Sequence, residues 1–280
     1  MTDVRFWEIP AARVQDGSHV CNTCNLWPGG ARPWNYDAVC SLYDYSRWAF
    51  VDVPEQAGVL ARPKPVPLDL GDCKWAQDLA AQYAAYGRWT SAMQDAVDWA
   101  VHRDHGVTDV LLAHAPFVRG EACSLKYGVP CRSSWFSALP ELLRALITAP
   151  PDHTPLTPRT TLWCVPWVAI QDEFRVFVHN YTTTAMSQQA WYKARAPDQV
   201  LSEALVRRVA LGAEALVTAA GLGSAVVDVG VLDSGDVYVI EANPFGARFS
   251  SGSSLFEWRR DASTLTGLDS GGISVATCVE

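Results

Sequence analysis

The stretch Val226-Val-Asp-Val-Gly-Val-Leu-Asp-Ser-Gly-Asp-Val-Tyr-Val-Ile-Glu-Ala-Asn-Pro244 constrains the chain more than any other. Two runs rich in β-branched residues flank the turn pair Ser234-Gly235, which predicts a hairpin with strands over 225–232 and 236–242. A two-residue loop makes Asp233 face Asp236 and brings Asp228 opposite Glu241. A four-residue loop leaves that pairing unchanged. Glu241 and Asn243 then share a face, because strand side chains alternate. Facing residues have Cβ atoms about 5 Å apart. Two carboxylates that close repel unless a cation or a proton lies between them. With the Asn243 carbonyl alongside, the oxygens suit Mg2+ and phosphate oxygens. The alternative is a solvated face with unpaired acids; the apolar neighbours Val227, Val229, Val231 and Ile240 favour half-buried strands and the metal site.

Two further blocks carry charge in a β-rich context. In Glu173-Phe-Arg-Val-Phe-Val178, alternation puts Phe174, Val176 and Val178 on one face and Glu173, Arg175 and Phe177 on the other. Arg175 can grip phosphate or carboxylate with two donors, or form a weak surface pair with Glu173. The block Phe117-Val-Arg-Gly-Glu-Ala-Cys-Ser-Leu-Lys-Tyr-Gly128 begins a short strand pair and presents Arg119 and Lys126. Lys126 is a candidate point charge on phosphate, or an ordinary surface lysine.

The remaining pattern mixes helices with paired strands. Helices are expected over 75–86, 92–102, 134–147 and 198–220, the last ending at Gly221. Strands are expected over 109–114, 161–165, 174–178 and 182–187, the last two as a hairpin. A Pro-rich connector covers 61–67, and 150–158 is a Pro-rich break. The first sixty or so residues give no clean period. This order predicts an α+β class, or α/β with antiparallel pairs.

Composition narrows the function classes. Hydrophobic residues make up 49% and charged residues 19% of 280, enough apolar material for a core. A net charge of −8 disfavours nonspecific nucleic-acid binding, which runs on basic side chains. No signal peptide opens the chain, and no apolar run approaches the roughly 20 residues of a membrane span. A soluble, cytoplasmic protein is the expectation. The eight cysteines are irregularly spaced and read as reduced thiols, with a zinc site from His19, Cys21, Cys24 and Cys40 as the minor alternative. His102, His105 and His114 pair with no nucleophile. Walker A, Gly-x-Ser-x-Gly and dinucleotide fingerprints are absent from the sequence.

Taken in order, the three charged blocks resemble the ATP-grasp superfamily over about 119–252. Phe117-Val-Arg119 with Ser124-Leu-Lys126, followed by Glu173-Phe-Arg175, is most similar to a bacterial and phage clade marked by two arginines and a lysine. The resemblance implies an ATP-grasp fold, two α+β subdomains holding ATP, behind an N-terminal α/β domain of the kind that precedes this fold. It places the division at residues 1–112 and 113–280, with a substrate or specificity role for the first part. It implies an Mg2+- and ATP-dependent ligase that joins a small-molecule or peptide carboxylate to an amine or thiol through an acyl phosphate, releasing ADP and phosphate. By match, Lys126 and Arg119 hold ATP phosphates. The hinge 163–169, through Cys164, Val165, Trp167 and Val168, bounds the adenine with backbone groups. Arg175 stabilises the γ-phosphate or acyl phosphate, and Asp228, Glu241 and Asn243 hold Mg2+.

Beyond the hairpin, Arg248 is a candidate carboxylate clamp. The Ser/Gly loop with Ser251 and Gly252 either offers backbone N–H groups to an anionic substrate or is a flexible linker. Two other functions fit the same motifs. Assembly factors for translation initiation in eukaryotes share a similar Glu-Phe-Arg strand and bind ATP while chaperoning a partner, and a small-molecule kinase would transfer phosphate without ligation.

Overall fold

The computed structural model describes residues 3–27, 36–44, 53, 58–61, 63–103, 116–120, 139–150, 156–196, 199–249, 251–269 and 271–280. The chain forms two compact units, residues 63–168 and the combination of 1–62 with 169–280. The crossings fall in the Pro-rich connector and in the expected hinge. They do not follow the expected division at 112/113. The reason is a strand that gives no periodic signal: β1, Val4–Pro10, pairs in parallel with β9, Ile273–Val279, at the far end of the chain. The N-terminal residues are thereby sewn into the C-terminal sheet.

That sheet has six strands in the order β1-β9-β6-β5-β7-β8, with β5 at Asp172–His179, β6 at Thr182–Gln188, β7 at Ala225–Val231 and β8 at Val237–Asn243. β6 joins β9 in parallel, while β5–β6, β5–β7 and β7–β8 are antiparallel. The long helix α6, Glu203–Ala219, packs on one face. Ser202 caps it by accepting from the Leu205 N–H at 3.2 Å, and Gly221 follows its end at φ +64. Gly212 lets the helix approach the sheet closely: an added Cβ would stand 3.1 Å from a Val237 methyl and 3.4 Å from one of Val239. The first unit also holds the short helices α1, Ala11–Gln15, α2, Tyr36–Ser41, and α7, Ala262–Leu265.

The second unit carries a three-stranded sheet, β2-β4-β3, with β2 at Val66–Asp72, β3 at Phe117–Arg119 and β4 at Arg159–Val165. Helices α3, Lys74–Tyr86, α4, Ser91–Arg103, and α5, Leu139–Thr148, share its core. Leu68, Val118, Leu162 and Cys164 supply the sheet side of that core, and Ala76, Met93, Leu142 and Leu146 the helix side. The residues read as a connector at 61–67 thus end in a strand. The predicted strand over 109–114 lies outside the described residues, as does the start of the helix predicted from 134. Among the described residues, no helix is long and apolar enough to cross a membrane.

Candidate functional site

Strand alternation splits the six-stranded sheet into unlike faces. Val176, Val227 and Val229 are fully buried on the face that α6 covers. Arg175, Asp228 and Phe177 lie on the other face, which is closed by the chain around 247–258. Arg175 and Asp228 are direct cross-strand partners. Arg175 Nε donates to Asp228 Oδ1 at 2.8 Å and Nη2 donates to Oδ2 at 2.7 Å. Nη1 donates to the Gly252 carbonyl at 2.9 Å. The Arg175 side chain is 12% exposed and that of Asp228 is 2%. Burial pushes the guanidinium pKa down, but Asp228, Glu241 and Glu173 together hold it well above the ordinary arginine value.

Glu241 does face Asp228, by a route that strand alternation alone does not foresee. The hairpin closes with Leu232 N–H donating to Asp236 O at 2.9 Å and Gly235 N–H donating to Leu232 O at 2.9 Å. Its loop is therefore three residues, 233–235, with Gly235 at φ +80. That loop pairs Val231 with Val237 and Val229 with Val239, one residue out of the expected register. A bulge between Asp228 and Val229 then inserts Ile240 and restores the pairs Asp228–Glu241 and Val226–Asn243. It also reverses the alternation, so Val237 and Val239 point to α6 while Glu241 and Asn243 turn to the Arg175 face. Asn243 Nδ2 donates to Asp228 Oδ2 at 3.4 Å.

Among the described residues no group of three or more His, Cys, Asp or Glu is placed to hold a metal ion by itself, so a cation here would draw on Asn243 and on its ligand's own oxygens beside the acids. Glu173, Asp228 and Glu241 bring three negative charges around one guanidinium, all acting on Arg175. Asp228, Glu241 and Asn243 are the residues that would hold Mg2+. The weak pair with Glu173 weighed as the alternative role of Arg175 is joined by a buried bidentate pair across strands.

The other candidate residues divide between the units. Lys126 lies outside the described residues. Arg119 is buried on β3, its Nε donating to the Gly120 carbonyl at 3.3 Å. Cys164 and Val165 end β4; the Cys164 side chain belongs to the core of its unit, so only its backbone is available to a ligand. Burial pushes the Cys164 thiol up to about 11. Trp167 is exposed, with its ring 6.4 Å from Phe117, and Val168 is half-buried. Arg248 is exposed. Ser251 is buried, its hydroxyl donating to Pro244 O at 2.6 Å and its carbonyl accepting from Trp258 Nε1 at 3.0 Å. The loop is therefore a braced structure and not a flexible linker.

The zinc alternative finds no support in the geometry. His19 Nε2 donates to the Leu255 carbonyl at 2.7 Å, and no group of three or more His, Cys, Asp or Glu able to hold a metal occurs among the described residues. His102 Nδ1 is bonded to the Asp98 carbonyl at 2.8 Å within its own helix, while His105 and His114 lie outside the described residues. Sequence reasoning misses the Arg175–Asp228 pair, because adjacency of β5 and β7 is not a local property. It also misses Asn22 and Thr23, which border this site.

Residues 141–257 match a family model described as an ATP-grasp domain, family 3 of its clade. The chain is similar to Cdc123 from Schizosaccharomyces pombe, with a TM-score of 0.54 at 13% identity, covering 86% of this chain and 97% of that one. This chain has an ATP-grasp fold. The ATP complex of D-alanine–D-alanine ligase from Bacillus anthracis is also similar over 59% of this chain and 53% of that one, at 16% identity and a TM-score of 0.38. No curated protein matches the sequence. The family match takes in β5, β7, β8 and the loop after them, and so contains every residue of the Arg175 cluster. It excludes β1 and the segment around Asn22.

Proposed function

We propose that this chain is an Mg2+- and ATP-dependent ligase that joins a carboxylate to an amine or thiol. A carboxylate oxygen attacks the γ-phosphorus of ATP and ADP leaves; the amine or thiol then attacks the acyl carbon and phosphate leaves. The observation that carries this reading is the buried Arg175–Asp228 pair with Glu241 and Asn243 beside it, on one face of an ATP-grasp sheet. Phosphoryl transfer demands charge neutralisation and in-line placement more than covalent help. Arg175 is held rigidly at three donors, so it stabilises developing charge with little reorganisation. Mg2+, held by Asp228, Glu241 and Asn243, would supply positive charge that neutralises the phosphates. Arg119, Lys126 and the hinge backbone from Cys164 to Val168 enter on the resemblance, as do the clade and its bacterial or phage setting; Arg248, Ser251 and Gly252 enter as candidate contacts to an anionic substrate, and a cytoplasmic location stays an expectation from the sequence.

The test is ATP turnover with pooled amino acids, peptides and small acids, with mass-spectrometric detection of products. ADP formed together with a condensed product supports ligation. ATP binding without ADP under every pool contradicts it. A second reading is favoured by one feature of the geometry: every donor nitrogen of Arg175 is engaged within the protein, as suits a brace in a non-catalytic ATP-binding assembly factor. Stoichiometric complex formation without turnover distinguishes that case, and γ-phosphate retained on an acceptor marks a kinase.

A further inference from the structure

The segment 19–26 lies outside the family match, yet five of its eight residues bond to the chain at 247–258 that holds Arg175. Asn22 N–H donates to Ser254 O at 2.6 Å, Asn25 N–H to Phe249 O at 3.0 Å and Leu26 N–H to Ala247 O at 2.7 Å. His19 adds its bond to the Leu255 carbonyl. Thr23 is engaged most heavily. Its N–H donates to Ser253 Oγ at 2.9 Å, its hydroxyl lies 3.2 Å from the same oxygen, and its Oγ1 accepts from the Trp258 N–H at 3.0 Å. Asn22, Asn25 and Ser254 have φ of +49, +51 and +49, a region few residues other than glycine adopt. Such conformations persist only where surrounding contacts over-determine them.

Arg175 has two kinds of anchor. The Asp228 carboxylate is fixed by the sheet. The Gly252 carbonyl is fixed by a loop without regular structure, and the strap bonds that loop on both sides of Gly252. At Gly252 itself the strap comes close: an added Cβ would collide with Asn22 Oδ1 and stand 3.3 Å from Arg175 Nη1. The Asn22 side chain and the guanidinium thus converge on one glycine.

We propose that residues 19–26 form a positioning strap for Arg175, with Thr23 as its pin. The strap sets the Gly252 carbonyl, and through it the plane in which the guanidinium presents itself to a phosphate or acyl phosphate. The consequence for phosphoryl chemistry rests on the function proposed above; the positioning itself does not. Thr23→Val keeps the shape and the backbone N–H but removes the hydroxyl, whereas Thr23→Ser keeps the hydroxyl.

The test uses the full chain labelled with 15N-arginine, with the Arg175 Nε–H resonance assigned by its loss in Arg175→Lys. Solvent exchange of that proton is the readout. Arg195, paired with Asp172 through Nη1 and Nη2 at 2.9 Å, with its Nε–H donating to the Gln199 carbonyl at 3.2 Å and its side chain similarly shielded, is the internal control. Thr23→Val is expected to speed Arg175 exchange about fivefold, the scale of one lost hydrogen bond, with Arg195 unchanged and Thr23→Ser close to wild type. Equal acceleration at both arginines, no acceleration at Arg175, or a Thr23→Ser effect as large as that of valine would overturn the strap. Mg-ATP titration of the same proteins is a separate arm. A wild type that binds no nucleotide would sink the proposed function, while the exchange comparison would still decide the strap.

Discussion

The two faces of the six-stranded sheet are built from the same strands and solve opposite problems. On the α6 face, Val176, Val227, Val229 and Val239 are buried, as are Val209 and Leu216 of the helix, and apolar burial supplies most of what holds the layers, with the Thr183 N–H donating to Glu214 at 2.8 Å as a polar tie. On the other face, Arg175 and Asp228 are buried together beside Glu241 and Asn243, under a loop and a strap of irregular chain. A buried ion pair is a poor way to stabilise a fold, since desolvation offsets most of its attraction. The apolar face carries no such cost, and that difference supports the proposal that the second face is the one used for chemistry. The bulge at Ile240 is the hinge between the two solutions: within one strand it turns valines to the helix and Glu241 and Asn243 to Arg175.

The contrast breaks first at its charged centre. Asp228→Asn leaves the Arg175 charge buried with half its partner, and urea unfolding should show a loss of about 3–5 kcal/mol. Replacing both partners, as Arg175→Leu with Asp228→Leu, should restore most of that stability while nucleotide binding stays lost. A double variant as unstable as the single one would make the pair structural. Leu216→Ala on the apolar face should cost about 2–5 kcal/mol. Calorimetry well below its melting temperature should nevertheless give a wild-type nucleotide affinity, and a joint loss would erase the distinction between faces.

Glu241→Gln should sharpen the comparison in the opposite sense. It removes one negative charge from a cluster that has an excess, so the unfolding free energy should change by less than about 1 kcal/mol. Mg2+-dependent nucleotide affinity should fall at least about tenfold, and equal affinity would remove Glu241 from the metal site. At neutral pH the smallest effect lies in the second unit, where it grows only as pH rises. The Cys164 thiol ionises near 11 in the fold against an ordinary 9.0, so the unfolded chain loses its proton first as pH rises. Stability should be fully present below pH 9 and decline between 9 and 11. Urea midpoints for wild type and Cys164→Ala should diverge in their pH slopes over that window; parallel slopes would contradict the burial of the thiol.

Periodicity alone makes the apolar face legible. The strands β5, β6, β7 and β8 and the helix α6 all follow from alternation, turn pairs and a glycine stop. Asp228 opposite Glu241 also follows, although the actual loop and bulge offset each other in a way no local pattern announces. What stays hidden depends on distant parts of the chain. β1 and β9 pair across almost the whole sequence, so neither needs its own turn signal or a partner nearby. Arg175 meets Asp228 only because β5 and β7 are neighbours, and the 19–26 strap is held largely by backbone groups, which carry no side-chain code. The conspicuous residues of that segment are Cys21 and Cys24, while the residues between them, Asn22 and Thr23, make the contacts.

The central claim is that the Arg175–Asp228 face is a Mg2+-dependent ATP site. Titration calorimetry of ATP into the full chain, with Mg2+ and with EDTA, for wild type and Asp228→Asn, tests it most directly. The account predicts saturable binding by wild type that requires Mg2+ and is absent from the variant at a temperature where both are folded. Binding that ignores Mg2+, or that survives intact in Asp228→Asn, would contradict it.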